Sequence, residues 1–91
     1  MSPFWPHGAP IEIQAEDREV NAPQAEPRSF LWEGRLHRIQ ELSAHWRIHT
    51  YWWTEVEIWR DYWKVVTDTG LLCVLYQDLT QAHWYLERIY Q

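Results

Sequence analysis

Three consecutive stretches decide the fold: Arg60-Asp61-Tyr62-Trp63-Lys64-Val65-Val66-Thr67, then Asp68-Thr69-Gly70, then Leu71-Leu72-Cys73-Val74-Leu75-Tyr76. The outer two are rich in β-branched and aromatic residues, which pack well on a pleated surface. The connection between them ends in glycine, at the position that takes a left-handed backbone in a three-residue hairpin closed by a bulge. Upstream, Ser29-Phe30-Leu31-Trp32 is separated from the run Arg35 to Glu41 by Glu33-Gly34, a second hairpin signal. Downstream, Asp78-Leu79-Thr80-Gln81 is a polar break before a last run, His83 to Tyr90. In that run Trp84, Leu86, Arg88 and Tyr90 share one face, and Tyr85, Glu87 and Ile89 the other. Aromatics on both faces favour a sheet that curls. The fold expected is therefore mainly β: a small antiparallel meander forming a bent sheet or partly open barrel.

Two regions are less direct. Leu36, Ile39, Leu42 and Trp46 recur at spacings of three, three and four, which suits a helix face. No N-cap precedes Leu36, and Glu33-Gly34 suits a hairpin better than a helix start. Strands interrupted near Leu42-Ser43-Ala44 are favoured, with one short helix over 36–46 as the alternative. Residues 1–28 stand apart from 29–91. They hold all five prolines, and five carboxylates against two arginines. Proline cannot donate to a strand ladder, and only Ile11-Glu12-Ile13 alternates. One short strand is expected near 10–14, an acidic loop over 15–28, and little loss of stability on removing residues 1–9. The β domain is expected over 29–91.

The 91 residues make one domain, and eight Trp, five Tyr and two Phe dominate its apolar content. Each buried Trp removes about 150–250 Å² from water, so a few large side chains can supply a small core. The net charge of −5 excludes a broadly basic nucleic-acid binder but leaves room for a local stripe. The single cysteine, Cys73, excludes an internal disulfide. No apolar run approaches the ~20 residues of a membrane helix, and the N-terminus lacks the pattern of a signal peptide. A cytoplasmic protein without a membrane partner is expected.

The candidate binding residues are aromatics interleaved with cations: Trp32, Arg35, Arg38, Trp46, Arg47, Arg60, Trp63, Lys64 and Arg88. Bases stack on such rings while Arg and Lys follow phosphates. The competing structural role is strong, because Trp fills small cores and Arg covers it by cation–π contact. Adjacent Trp52 and Trp53 add a further candidate, since neighbours on a strand face opposite sides and an exposed Trp is a common interface hot spot. His45 and His49, with His37 or His83, lack a second ligand pair at a zinc-binding spacing. Glu55, Glu57, Asp61, Asp78 and Glu87 form no evident catalytic set. Cys73 lies in an apolar run and is expected to be buried and inert. Neither a catalytic residue, a metal nor a cofactor is expected.

The run from Phe30-Leu31-Trp32-x-Gly34-Arg35 through Trp46-Arg47-Ile48, Arg60-Asp61-Tyr62-Trp63-Lys64-Val65 and Trp84-Tyr85-Leu86-Glu87-Arg88-Ile89-Tyr90 resembles a small uncharacterised domain family of bacterial Trp-rich proteins. Such domains occur alone, and similar segments lie near the C-terminus of Y-family-polymerase-like subunits of error-prone repair machinery. The resemblance implies a non-catalytic binding module in DNA repair or translesion synthesis and carries no catalytic residues. The function expected is docking to a protein, either a polymerase-like subunit or a second copy in a homodimer. Single-stranded nucleic-acid binding through exposed Trp and Arg is the first alternative. Small-molecule binding in an aromatic pocket is the second.

Overall fold

The computed structural model describes residues 3–15, 26–51 and 53–90. Seven strands follow one another: β1 (Phe4–Pro10), β2 (Glu12–Ala15), β3 (Pro27–Trp32), β4 (Arg35–Thr50), β5 (Ile58–Thr67), β6 (Leu72–Asp78) and β7 (His83–Tyr90). Among the described residues there is no helix, so none is long and apolar enough to cross a membrane. All pairings are antiparallel, in the order β1-β7-β6-β5-β4-β3-β2. Apart from β1 beside β7, this is the expected meander.

The turns form where the sequence signals them. Glu33 and Gly34 both have positive φ (52° and 76°), as a two-residue hairpin turn that matches strand twist requires. Gly70 sits at φ 87° and donates its N–H to the Thr67 carbonyl, and the Thr67 N–H donates to the Leu71 carbonyl, which closes the turn 68–70 between β5 and β6. Asp78 holds the last turn by accepting from the N–H and hydroxyl of Thr80.

The ambiguous segment is a single 16-residue strand, β4, with no helix and no break. Its pairing with β5 shifts register twice, between Ile39 and Glu41 and between Leu42 and Ala44. Gln40 and Ser43 are the extra residues of two β-bulges. Ile39 pairs with Thr67 and Leu42 with Val65, so these two residues share a face although three apart. A bulge thus produces the spacing that resembles a helical period.

β1 and β2 lie at opposite edges of the sheet, yet only Ile11 separates them in the chain. The sheet must therefore curl until its two edges meet, giving a half-barrel. Trp5 of β1 reaches Trp32 of β3 edge to face, with ring centroids 5.1 Å apart. The Ile11 N–H donates to the Trp84 carbonyl at the bend. Inside the curl lie Ile13, Phe30, Trp63, Val65, Cys73, Leu75, Trp84, Leu86 and Ile89, all buried. The N-terminal segment thus supplies two strands, where the sequence suggests one near 10–14. Pro6 and Pro10 are tolerated because β1 is an edge strand with a ladder on one side only. Residues 16–25, most of the expected acidic loop, lie outside the described residues.

Gly8 locks β1 in place. Its φ is 77°, and a Cβ there would meet the Tyr76 hydroxyl and the Tyr85 side chain well inside van der Waals contact. The Tyr76 hydroxyl donates to the His7 carbonyl at 3.1 Å. Removing residues 1–9 is therefore expected to destabilise the fold, against the expectation from sequence. It strips a strand from β7 and the Trp5 contact from the core, for a loss of about 2–4 kcal/mol, or roughly 10–20 °C in Tm. A melting temperature within ~2 °C of the full chain would show that β1 is not part of the cooperative unit.

Burial pushes the Cys73 thiol up to about 12. Burial likewise pushes the Tyr76 phenol up to about 12, opposed by the nearby Arg60 guanidinium. Both groups are neutral when protonated, and both are raised on folding. The stability they carry is present below their ordinary values of 9.0 and 10.0 and is lost as pH rises toward about 12. The native thiol should be silent to a disulfide reagent at about pH 8 and react fully once urea unfolds the chain. Reaction of the native protein at the rate of a free thiol would contradict the burial of Cys73.

Candidate functional site

β3 pairs with β4 only from Ser29–Arg38 to Trp32–Arg35, whereas β4 continues to Thr50 along β5. β6 in turn pairs with β5 from Val66 up to Arg60. The far half of β4 is therefore an edge strand paired with β5 alone, and only its last residues, the start of β5 and the loop between them pass the end of β6; this end of the β4–β5 hairpin is the arm. Every residue from Gln40 to His49 is exposed. Trp46, Ile48, Tyr51, Trp53 and Val56 are exposed large hydrophobics on this arm, with Trp53 at 65% and Val56 at 69%. Tyr51 has φ 55° and its carbonyl accepts from the N–H of Thr54, which fixes the turn. The Tyr51 and Trp53 rings lie 6.1 Å apart.

A polar network braces the inner face of the arm. Asp61, opposite Arg47 and with no accessible surface, accepts from Arg47 Nε and Nη2 at 3.4 and 3.3 Å. His45 Nε2 lies 2.7 Å from the same carboxylate, and its ring stacks on Trp63 at 3.7 Å. Further out, His49 Nε2 meets Glu57 at 2.7 Å and stacks on Trp59. A carboxylate taken out of water costs several kcal/mol unless charged and hydrogen-bonded partners offset it. This network, with the rings stacked across the same pairing, holds β4 against β5.

The outer face is built differently. Trp46, Tyr62, Tyr76 and Tyr85 line up across β4 to β7 with successive centroids 5.3, 5.2 and 5.2 Å apart. The Arg60 guanidinium lies 4.4 Å over Tyr76 and donates to the Tyr62 hydroxyl. Arg88 lies 4.4 Å over Phe4, and Lys64 lies 5.1 Å from the Tyr90 ring centroid. Tyr62 and Tyr76 are buried, so the middle of the row offers no free ring.

The sequence candidates are thus dispersed. Trp46, Arg60, Lys64 and Arg88 share the outer face. Arg47 is on the inner face, engaged with Asp61. Trp53 is at the tip of the arm. Arg35 and Arg38 are exposed at the opposite end of β4, where the Arg38 N–H donates to Asp68. Two candidates are corrected. Trp63 is 5% exposed beneath His45, so it belongs to the core and offers no contact surface. Trp32 is half-buried against Trp5 and closes the half-barrel. Trp52 lies outside the described residues. Tyr51, Ile48 and Val56 were not distinguished from core residues by sequence, since alternation shows which residues share a face but not which face is covered.

Among the described residues no three His, Cys, Asp or Glu side chains converge on a common point. A concavity of about 410 Å³ lies at the β1–β2 bend, lined by Ile11, Ile13, His83 and Trp84 among others.

Replacing Arg47 by Met and His45 by Phe keeps apolar bulk, and a ring over Trp63, while leaving Asp61 unpaired. The double change should cost about 3–5 kcal/mol by urea denaturation, and adding Asp61→Asn should recover part of it. A double variant within ~0.5 kcal/mol of the parent would mean that the network does not hold the arm.

The chain belongs to the family described as Domain of unknown function (DUF6504), which matches residues 7–91. No curated protein and no solved structure matches the chain.

Proposed function

We propose that this domain is a non-catalytic docking module that binds another protein chain through the β4–β5 arm. The observation that carries this reading is the run of exposed Trp46, Ile48, Tyr51, Trp53 and Val56 along the end of β4 and the loop after it. Contiguous exposed apolar surface marks interaction sites, and Trp and Tyr dominate interface hot spots. The arm is braced beforehand by the Asp61 network, which lowers the ordering cost of binding. Nucleic-acid binding is the weaker reading. Arg60, Lys64 and Arg88 each already lie against a ring, and the net charge is −5. The resemblance to segments of Y-family-polymerase-like subunits supports a cytoplasmic setting in DNA repair and translesion synthesis.

Trp53→Ala should weaken binding to such a subunit at least ~30-fold, the loss of a hot spot worth about 2 kcal/mol, with no change in Tm. Lys64→Ala should leave it within about threefold. The contrary result is specific: tight binding of a labelled single-stranded oligonucleotide at ~0.15 M salt, lost in Arg60→Ala and unaffected by Trp53→Ala, would replace docking with nucleic-acid recognition.

A further inference from the structure

We infer that the protein docked by the arm is a second copy of this chain, joined edge to edge along β4 from His45 to Thr50. The inference rests on the docking reading and names its partner. Beyond Arg38, no strand among the described residues pairs with the second side of β4. A free edge presents a row of backbone N–H and C=O groups ready to pair with another strand. Proteins protect such edges with bulges, proline or lysine. Here both bulges lie before His45, and from His45–Trp63 to Thr50–Ile58 the ladder is regular. Neither proline nor lysine occurs in Arg35–Thr50, and Arg47, an inward-pointing charge of the kind that can also guard an edge, is turned onto its own Asp61.

The occupant follows from self-complementarity. An antiparallel edge related to itself by a two-fold axis presents matching donors and acceptors, the isologous interface of a symmetric dimer. Facing residues must share a face, which fixes the parity of the register. With the axis at Arg47, Trp46 of each copy stands opposite Ile48 of the other on the outer face. The same register sets Tyr51 and Trp53 beside the segment of the second copy that holds exposed Leu42. Trp46 and Ile48 of both copies are thereby gathered into one contact on the outer face. The two Arg47 side chains come together on the inner face, but each is already paired with its own Asp61. His45 and His49, which also come together there, are held by Asp61 and Glu57.

The test is sedimentation equilibrium of the full chain from ~1 to ~500 µM, the range over which a micromolar dimer assembles. The wild-type mass should double across it, and Ile48→Lys should weaken association at least ~10-fold by placing lysine on the edge. Hydrogen exchange of the wild type gives an independent reading. Amides within 45–50 should become protected as concentration rises, while those of β6 stay unchanged. A wild type that stays monomeric at every concentration would overturn the inference. So would a dimer in which 45–50 gains no protection. If that monomer still binds a polymerase-like subunit through Trp53, docking stands and self-pairing falls. If Trp53→Ala affects neither association, both fall.

Discussion

One residue of chain, Ile11, separates two strands that occupy opposite edges of the same sheet. This constraint sets the shape of the molecule. A flat seven-stranded sheet would place those edges six inter-strand spacings apart, each about 4.8 Å, far beyond the reach of a single residue. The sheet has to curl, and curling turns one face of every strand inward. The large rings then become useful rather than excessive, since Phe30, Trp63 and Trp84 fill the curve and Trp5 meets Trp32 across it. A chain of this size can otherwise bury only about 60–65% of its unfolded surface.

Closing the body of the sheet in this way leaves β4 too long for it. Its first residues, Arg35 to Arg38, pair with β3, and the rest, from Ile39 on, pairs with β5 alone. Past the end of β6 the hairpin is a two-stranded ribbon, and an isolated hairpin is marginal in water. The Asp61–Arg47–His45 network compensates with charge-assisted contacts at the root of the arm. Beyond it Tyr51, Trp53 and Val56 keep much of their apolar surface exposed, and this is the physical origin of the proposed docking surface. The outer face of the body follows another principle. Its cations lie on its rings, so charge and aromatic area there are largely satisfied within the molecule.

Much of this was legible in the sequence, and the remainder was hidden for definite reasons. Glu33-Gly34 and Asp68-Thr69-Gly70 were readable because a positive φ demands glycine at fixed offsets. The strands of 60–76 and 83–90 were readable from composition, but a bulge at Glu87 breaks the alternation of the last, so Ile89 joins Trp84 and Leu86 inside the curl while Arg88 lies outside, against the expected faces. β4 was ambiguous because two bulges interrupt its period of two and place Ile39 and Leu42 three apart on one face. β1 was not readable, because its prolines argue against a strand and its partner β7 lies at the far end of the chain. The site was less legible than the fold. Trp46, next to Arg47, is exposed as the interface reading needs, while Trp63, next to Lys64, carries the same aromatic-beside-cation signature and is core. Periodicity assigns residues to faces, and only the curl decides which face is inside.

The account therefore turns on a division among tryptophans: Trp63 and Trp84 inside the curl, Trp46 and Trp53 outside on the arm. Hydroxyl-radical footprinting of the native protein at low micromolar concentration, read residue by residue by mass spectrometry, tests it most directly. Strong oxidation of Trp53, intermediate oxidation of Trp46 and near silence at Trp63 and Trp84 is the result predicted. Oxidation of Trp63 or Trp84 at the rate of Trp53, or a protected Trp53 in the monomer, would contradict both the curled sheet and the surface it is proposed to present.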